Sequence, residues 1–138
     1  MATLLIVDDE KDTCAALVKL LSRHGHMAEA ATSGRAALEY LRRLVPQAVV
    51  LDFMMPDMDG LTVLREIRKR RESTDLPVIL YTAVSDPSFA RFARECGATE
   101  VWVKLEMQPH EMAERIDVIA RERSDLCARR TETRTESA

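Results

Sequence analysis

A short run of apolar residues that ends in a single carboxylate constrains the fold of this chain more than any other feature. The run is Ala48-Val49-Val50-Leu51, followed by Asp52 and then by a segment rich in Pro, Asp and Gly. A run that is apolar throughout and β-branched in its middle is typical of a strand buried on both faces of a parallel sheet. Asp52 would then lie at the carboxyl end of that strand, where ligands bind in open α/β sheets. Taken alone, the segment fits a simple turn equally well, because Asp is common at strand ends.

Other segments repeat this strand pattern and alternate with helical patterns. Apolar or β-prone runs predict strands at residues 3–7, 27–31, 48–52, 76–81 and 99–103. Apolar residues spaced by three and four predict helices at residues 11–24, 33–44, 60–71, 86–96 and 109–123. Parallel strands joined by helices need right-handed crossovers, which put helices on both faces of the sheet. The predicted fold class is therefore α/β, a doubly wound sheet of five parallel strands with five helices.

The last segment differs in composition from the rest of the chain. Residues 124–138 are rich in Thr, Ser, Arg and Glu and contain almost no large apolar side chains. A segment of this kind buries too little apolar surface to fold by itself. We therefore predict one folded domain at residues 1–123 and a disordered polar tail or linker at residues 124–138. A stand-alone domain and a piece of a longer protein both fit this pattern.

Composition narrows the classes of function. The 138 residues are 46% hydrophobic, which suits one domain with one core, and the net charge of -3 favours neither nucleic acid nor membrane as a partner. No run approaches the roughly 20 apolar residues of a membrane span, and the first residues do not resemble a signal peptide. We therefore expect a cytoplasmic protein whose partners are proteins, with neither nucleic acid nor membrane among them. The cysteines lack metal-binding spacing, so Cys14 and Cys96 are interpreted as packing residues and Cys127 as a surface thiol.

Polar residues follow the predicted strands at the point where each strand ends. They are Asp8 and Asp9 after the first strand, Asp52 after the third, Thr82 after the fourth and Lys104 after the fifth. Because these strand ends share one edge of the sheet, we expect the side chains to meet. Three neighbouring carboxylates repel one another unless a cation holds them, and a few oxygen ligands suit Mg²⁺. One carboxylate would remain to attack phosphorus, with the Thr82 hydroxyl and the Lys104 ammonium bound to the phosphoryl oxygens.

These residues closely resemble the receiver domain of two-component response regulators, in its single-domain, chemotaxis-regulator-like form. The matching positions are Asp8-Asp9, Asp52 followed by Met-Met-Pro-Asp-Met-Asp-Gly, Thr82-Ala83 and Lys104. The resemblance covers about residues 3–123. It implies a flavodoxin-like sheet with the strand order 2-1-3-4-5.

The resemblance also implies a role for each matched residue. Asp52 would be the phosphoacceptor, and Thr82 and Lys104 would contact the phosphoryl group. Mg²⁺ would be bound by the carboxylates of Asp8, Asp9 and Asp52 and by the backbone carbonyl of Met54. The expected partners are a sensor histidine kinase or phosphotransfer protein and an unknown downstream protein, with a possible homodimer through the fourth helix, fifth strand and fifth helix. The domain would not be an enzyme, although it would assist its own phosphotransfer and dephosphorylation.

The sequence departs from the family pattern at two positions near the fifth strand. Receivers usually carry an aromatic residue three positions before the lysine, where this chain has Val101, and a proline directly after it, where this chain has Leu105. Trp102 does not simply replace the missing aromatic residue, because adjacent side chains on a strand face opposite ways. Trp102 is interpreted either as a half-buried strand residue or as an exposed anchor for a partner protein. We expect a trans peptide bond before Leu105, since a cis bond there would cost about 3 kcal/mol.

Other functions fit the sequence less well. A phosphorylation-independent, receiver-like protein-interaction module is favoured by Val101 and Leu105 but disfavoured by the intact acidic residues. A phosphatase with an aspartyl nucleophile of the haloacid-dehalogenase type would need an acid two residues after the nucleophile, where this chain has Met54. A flavodoxin-like cofactor domain lacks its phosphate-binding loop after the first strand.

Two groups of charged or titratable residues have no predicted chemical role. The histidines, which are predicted to lie on the surface, are His24, His26 and His110. The basic cluster at the end of the third predicted helix is a solvated helix end or, as the alternative, a docking surface. Its members are Arg65, Arg68, Lys69, Arg70 and Arg71.

Overall fold

Five parallel strands form the centre of the protein. The computed structural model describes residues 2–136, with side chains described through residue 125. The strands are β1 (Thr3–Val7), β2 (Met27–Ala31), β3 (Ala48–Asp52), β4 (Val78–Thr82) and β5 (Glu100–Val103). They pair in the order β2-β1-β3-β4-β5, and every neighbouring pair is parallel. The predicted fold class and strand order are confirmed.

Within residues 2–136, five α-helices connect the strands and follow the last one. They are α1 (Lys11–Arg23), α2 (Gly34–Arg43), α3 (Gly60–Lys69), α4 (Pro87–Glu95) and α5 (Pro109–Glu136), with a 3-10 turn at Arg71–Ser73. None of the helices in the described part of the chain is long and apolar enough to cross a membrane.

The alternation of side chains along each strand divides the core into two layers. Val49 and Leu51 of β3 pack with residues of α2, α3 and α4, whereas Ala48 and Val50 pack with residues of α1 and α5. Because adjacent strand residues point to opposite faces, a strand must be apolar at every position when both faces are covered. The continuous apolar runs in the sequence therefore reflect burial on both sides.

Helix boundaries follow local signals in most places. The side chains of Ser33, Asp59 and Asp86 accept hydrogen bonds from backbone N–H groups in the first turns of α2, α3 and α4. Gly25 and Gly97, after α1 and α4, have φ angles of 85° and 116°, a backbone conformation that side chains with a Cβ atom rarely adopt. These residue types account for the close agreement between predicted and observed ends.

Three helix ends differ from the prediction, and α3 ends at Lys69 instead of about Arg71, where a 3-10 turn begins. Helix α2 ends at Arg43, and Leu44, the last residue of the predicted helix, has an extended backbone and is 59% exposed. Helix α5 continues past the predicted end near Arg123 to Glu136, so the predicted disordered tail starts as helix. Arg, Glu and Ala are good helix formers, which explains the continuation. The predicted domain boundary at residue 123 stays a prediction, and Cys127 lies outside the described side chains.

Arg68 in the basic cluster is a structural residue and not part of a solvated helix end. Its guanidinium donates hydrogen bonds to the carbonyl oxygens of Gly97 (2.8 and 3.0 Å), Leu76 (2.6 Å) and Ser73 (3.2 Å). Five fixed N–H donors suit arginine to this task. Arg68 thus joins the end of α3 to the segments that precede β4 and β5.

Trp102 is buried, so its interpretation as an exposed anchor for a partner is wrong. The side chain is 4% exposed and belongs to the same apolar cluster as Met112 and Ile116 of α5. Its indole N–H donates a 2.9 Å hydrogen bond to the carboxylate of Glu100. Helix α5 covers this face of β5, which a strand pattern alone does not reveal.

The prediction that all three histidines lie on the surface is wrong for His26. His26 is 6% exposed, and its Nδ1 accepts a 3.1 Å hydrogen bond from the backbone N–H of Ala2. Its Nε2 lies 2.6 Å from Oδ1 of Asp117. The imidazole therefore ties the start of β1 and the start of β2 to α5, through partners that are distant in the sequence.

Candidate functional site

The polar residues that follow the strands meet at one edge of the sheet. In the strand register Val7 pairs with Leu51, and Asp52 pairs with Tyr81 on the next strand. Thr82 in turn pairs with Val103, the residue before Lys104. The predicted convergence of these residues is therefore present in the fold.

Three carboxylates form the centre of this edge. One oxygen atom from each of Asp8, Asp9 and Asp52 lies within 4.8 Å of the other two. Asp8 and Asp52 are buried, with 2% and 7% exposure, while Asp9 is exposed. Burial, followed by the charge of Asp8, raises the pKa of Asp52, and Lys104 and a backbone hydrogen bond from Met54 only partly oppose this rise. Apolar packing would not bring such groups together.

Lys104 is the cation of the site. Its Nζ lies 3.4 Å from Oδ1 of Asp52 and 3.6 Å from Oδ2 of Asp8. Its backbone N–H donates a 2.8 Å hydrogen bond to the carbonyl of Thr82, which continues the pairing of β4 with β5. Burial lowers the pKa of Lys104, but the attraction of Asp52 and Asp8 outweighs burial, so the net pKa is raised. A protonated Lys104 therefore offsets only part of the negative charge.

The acidic cluster has the chemistry of a site for a hard divalent cation. Oδ1 of Asp8 accepts a 2.9 Å hydrogen bond from the backbone N–H of Glu10. Oδ2 of Asp8 is buried and accepts no hydrogen bond from the described residues. The Lys104 ammonium lies 3.6 Å from this oxygen but is shared with Asp52, so one positive charge faces three carboxylates, and a bound divalent cation would balance the remaining negative charge. The three carboxylates thus fit Mg²⁺, whereas the role of the Met54 carbonyl stays a prediction.

A glycine allows the loop after Asp52 to turn back onto the strand. The backbone N–H of Gly60 donates a 2.7 Å hydrogen bond to the carbonyl of Phe53. A Cβ atom on Gly60 would lie 2.5 Å from the backbone oxygen of Asp52 and 2.8 Å from Cα of Phe53. Because both atoms belong to the backbone, only glycine fits here. The start of α3 is thereby held against the end of β3, which fixes the backbone of Asp52.

Thr82 is almost fully enclosed at the end of β4. It is 1% exposed, and its Oγ1 accepts a 3.1 Å hydrogen bond from the backbone N–H of Val84. The hydroxyl hydrogen is left to donate to a group at the sheet edge. Contact between Thr82 and a phosphoryl group stays a prediction.

Two residues near the site were not identified from the sequence. The carboxylate of Asp57 accepts 3.2 Å hydrogen bonds from the backbone N–H groups of Gly34 and Arg35, and so caps α2 from the loop that follows β3. Burial is the largest single influence on the pKa of Asp57 and raises it, but the backbone hydrogen bonds together outweigh burial, so the net pKa is lowered. The ring of Tyr81 lies 5.3 Å from Nζ of Lys104. The alternation of side chains along β4 and β5 could have placed Tyr81 and Lys104 on the same face of the sheet. The cap from Asp57 could not be predicted in this way, because its partners lie 22 and 23 residues earlier in the chain.

The two departures from the family pattern lie beside the site. Val101 is partly buried and packs on the layer of α2, α3 and α4, opposite to Trp102. Leu105 is 93% exposed, and all peptide bonds between described residues are trans, as predicted for the bond before Leu105.

Comparison with known proteins identifies the family. The family model for the response regulator receiver domain matches residues 4–117. Transcriptional regulatory protein AfsQ1 of Streptomyces coelicolor is 38% identical over 104 residues, which cover 75% of this chain and 45% of that protein. The chain spans less than half the length of the first curated relatives that it matches. AfsQ1 is named as a transcriptional regulator, so these relatives do not support the prediction that nucleic acid is absent among the partners.

Solved structures give the same answer for the fold. A response regulator receiver domain protein from Clostridium thermocellum has a TM-score of 0.82 and 26% identity, over 91% of this chain and 99% of that one. Chemotaxis protein CheY4 of Vibrio cholerae has a TM-score of 0.80 and 24% identity, over 86% of this chain and 98% of that one, and shares the fold. With its matching sheet order and its edge of acidic residues, the chain belongs to the response regulator receiver domain family of two-component systems.

Proposed function

We propose that Asp52 accepts a phosphoryl group in the presence of Mg²⁺, and that phosphorylation changes the affinity of this domain for a partner protein. The observation that carries the proposal is the group of three carboxylates, with oxygens within 4.8 Å of one another, beside an ammonium group 3.4 Å from Asp52. This arrangement suits the binding of a cation and a phosphoryl group together.

Each residue at the sheet edge has a separate role in the proposed phosphoryl transfer. In the proposed reaction, a carboxylate oxygen of Asp52 forms a bond to phosphorus. The bond between phosphorus and the donor breaks at the same time, and the leaving group departs with the electron pair. The Lys104 ammonium neutralises negative charge on the equatorial phosphoryl oxygens, and the Thr82 hydroxyl donates a hydrogen bond to one of them. Burial raises the pKa of Asp52, and a more basic carboxylate oxygen is a better nucleophile than that of an ordinary surface aspartate.

Asp8, Asp9, Asp52 and the Met54 carbonyl are the proposed ligands of Mg²⁺. When bound, Mg²⁺ would supply positive charge to the carboxylates and to the incoming phosphoryl group. Oδ1 of Asp8 already accepts a hydrogen bond from the Glu10 N–H, which leaves Oδ2 as the oxygen for the ion.

The proposed donor is the phosphohistidine of a sensor histidine kinase or of a phosphotransfer protein. The downstream partner is a protein, and a homodimer through α4, β5 and α5 is one form that the complex can take. The domain assists its own phosphotransfer and dephosphorylation but has no separate substrate. The location predicted from the sequence, the cytoplasm, stays a prediction.

The experiment is to incubate the protein with acetyl phosphate and Mg²⁺ and to measure its intact mass. We expect a gain of one phosphoryl group in the wild type and no gain after Asp52→Asn, which keeps the shape of the side chain. Omission of Mg²⁺ should also abolish the gain.

A second loop aspartate provides the matched control. Asp57→Asn removes a carboxylate five residues from Asp52 that caps α2, so this variant should still gain the phosphoryl group. A gain that persists in Asp52→Asn would contradict the proposal. If the wild type bound Mg²⁺ in a separate measurement but gained no mass, the proposed function would be replaced by that of a phosphorylation-independent interaction module.

A further inference from the structure

We propose that Tyr81 is a positioning residue for Lys104, and that the face of its ring holds the ammonium group at the phosphoryl site when a metal ion occupies the carboxylates. This inference rests on the proposed function, because it concerns the same reaction. The observation behind it is the Lys104 Nζ, which lies 5.3 Å from the centre of the Tyr81 ring. A cation over an aromatic face within about 6 Å is attracted by the ring.

The sheet register brings the two side chains to one face. Tyr81 pairs with Asp52 on one side and with Trp102 on the other. Paired residues of parallel strands point the same way, and so do residues two positions apart on one strand. Lys104 lies directly after β5, two positions beyond Trp102, and its N–H still pairs with the carbonyl of Thr82, so its side chain lies on the face that carries the Tyr81 ring. The ring is partly buried against the layer formed with α1 and α5, which keeps it in place.

The other partners of Lys104 are shared with the predicted metal. In the structure the ammonium lies 3.6 Å from Asp8 and 3.4 Å from Asp52. Both carboxylates are proposed ligands of Mg²⁺, and a bound divalent ion would weaken their attraction for Lys104. A tyrosine ring is not a ligand that Mg²⁺ prefers, so this contact persists when the ion binds.

Loss of the ring would leave the ammonium less well placed. The lysine stem is flexible and has several rotamers, and the side chain of Lys104 is 29% exposed, so solvent competes for its charge. A ring face on one side restricts those rotamers towards the sheet edge. The contact is made by the ring, and the proposal therefore predicts that the phenolic hydroxyl is dispensable.

Two substitutions separate the ring from the hydroxyl and from simple packing. Tyr81→Phe keeps the ring, whereas Tyr81→Leu keeps an apolar side chain without one. With acetyl phosphate and Mg²⁺, Tyr81→Leu should lower the initial rate of phosphorylation about three- to tenfold, and Tyr81→Phe should stay within about twofold of the wild type. Thermal unfolding of each variant checks that the assay is carried out on folded protein.

A spectroscopic measurement tests the contact without phosphorylation. The methylene protons of Lys104 next to the ammonium should show upfield ring-current shifts in the wild type and in Tyr81→Phe, and lose them in Tyr81→Leu. These shifts should remain when Mg²⁺ is added. Upfield shifts that are absent in the wild type, or that vanish with Mg²⁺, would overturn the proposal.

The kinetic outcomes are equally decisive. Equal rates in the wild type and folded Tyr81→Leu, or an equal loss in Tyr81→Phe and Tyr81→Leu, would overturn the assignment of the ring as a positioning group. If the wild type itself accepted no phosphoryl group, the proposed function would fail, while the ring-current shifts would still decide whether Tyr81 holds Lys104.

Discussion

The sheet-edge site and the strand next to it are built on opposite principles. At the edge, Asp8 and Asp52 are buried close to each other although their charges repel, and the buried Asp8 Oδ2 accepts no hydrogen bond from the described residues. On β5, Trp102 is buried in an apolar layer and its one polar atom has a partner. The charges of the first region lower the stability of the fold, and the packing of the second region raises it.

The contrast separates residues that serve chemistry from residues that serve the fold. Function often requires charges that destabilise the empty site, and the surrounding core compensates for them. Substitutions in the edge site should therefore change binding and phosphorylation at little or no loss of stability. Substitutions in the packed part of β5 should do the reverse.

The largest effect is expected on β5. Trp102→Ala should lower the free energy of unfolding by about 3 to 5 kcal/mol, the usual range for removal of a large buried aromatic side chain. Urea denaturation checks this value, with Trp102→Phe as the control that retains part of the packing. The fraction of folded molecules that accept a phosphoryl group should stay unchanged. A loss below about 1 kcal/mol would show that Trp102 is not a core residue.

Metal binding should give the next largest effect, with the opposite sign. Mg²⁺ at about 100 times its Kd should raise the free energy of unfolding by about 2.7 kcal/mol, because it binds the folded state. Asp9→Asn should remove most of this stabilisation, and since Asp9 is exposed the variant should fold normally. The control is Asp12→Asn, which changes an exposed acid in the first turn of α1 and should retain the stabilisation by Mg²⁺. Full stabilisation of Asp9→Asn by Mg²⁺ would rule out Asp9 as a ligand.

Removal of a charge from the edge site should stabilise the metal-free protein. In the presence of EDTA at pH 7, Asp52→Asn should raise the free energy of unfolding on the order of 1 kcal/mol, because a buried carboxylate beside Asp8 is lost. The pKa of Asp52 is raised in the folded state. The folded protein thus holds the proton more tightly, and wild-type stability should fall as the pH rises from the ordinary aspartate pKa through the raised one.

Urea denaturation between about pH 2.5 and pH 8 tests this sign, and Asp52→Asn should lack this contribution to the fall. Asp57 is the matched comparison, because its pKa is lowered and its contribution should be lost as the pH falls. A wild type and an Asp52→Asn variant with the same pH dependence would contradict the repulsion inferred at the sheet edge.

The smallest effect is expected at Leu105, which departs from the family pattern but is 93% exposed. Leu105→Ala should change the free energy of unfolding by less than about 0.5 kcal/mol. Its rate of phosphorylation by acetyl phosphate should equal that of the wild type. A substantial loss of either would mean that this loop takes part in the edge site.

Much of the fold was predictable because its signals are local. Residues 48–51 are apolar throughout, Ser33 and Asp86 cap helices, and Gly97 has the positive φ angle that its position after α4 suggested. The meeting of Asp8 with Asp52 was also predictable, since parallel strands end at one edge.

The remaining features depend on contacts between distant parts of the chain. His26 is buried because Ala2 and Asp117 supply its partners, and Trp102 is buried because α5 covers one face of β5. Arg68 binds carbonyl groups that follow it by up to 29 residues. A sequence pattern does not show which distant surface will cover a side chain. This matters most for polar and amphipathic residues such as His, Trp and Arg, which are found both exposed and buried.

The most direct test of the account is the identity of the phosphorylated residue. The protein is treated with acetyl phosphate and Mg²⁺ and then reduced with borohydride, which converts an aspartyl phosphate to homoserine, and the peptides are mapped by mass spectrometry. We expect homoserine at position 52 and at no other aspartate. Homoserine at Asp57 or Asp59, or its absence at position 52 in protein that binds Mg²⁺, would contradict the assignment of Asp52 as the phosphoacceptor.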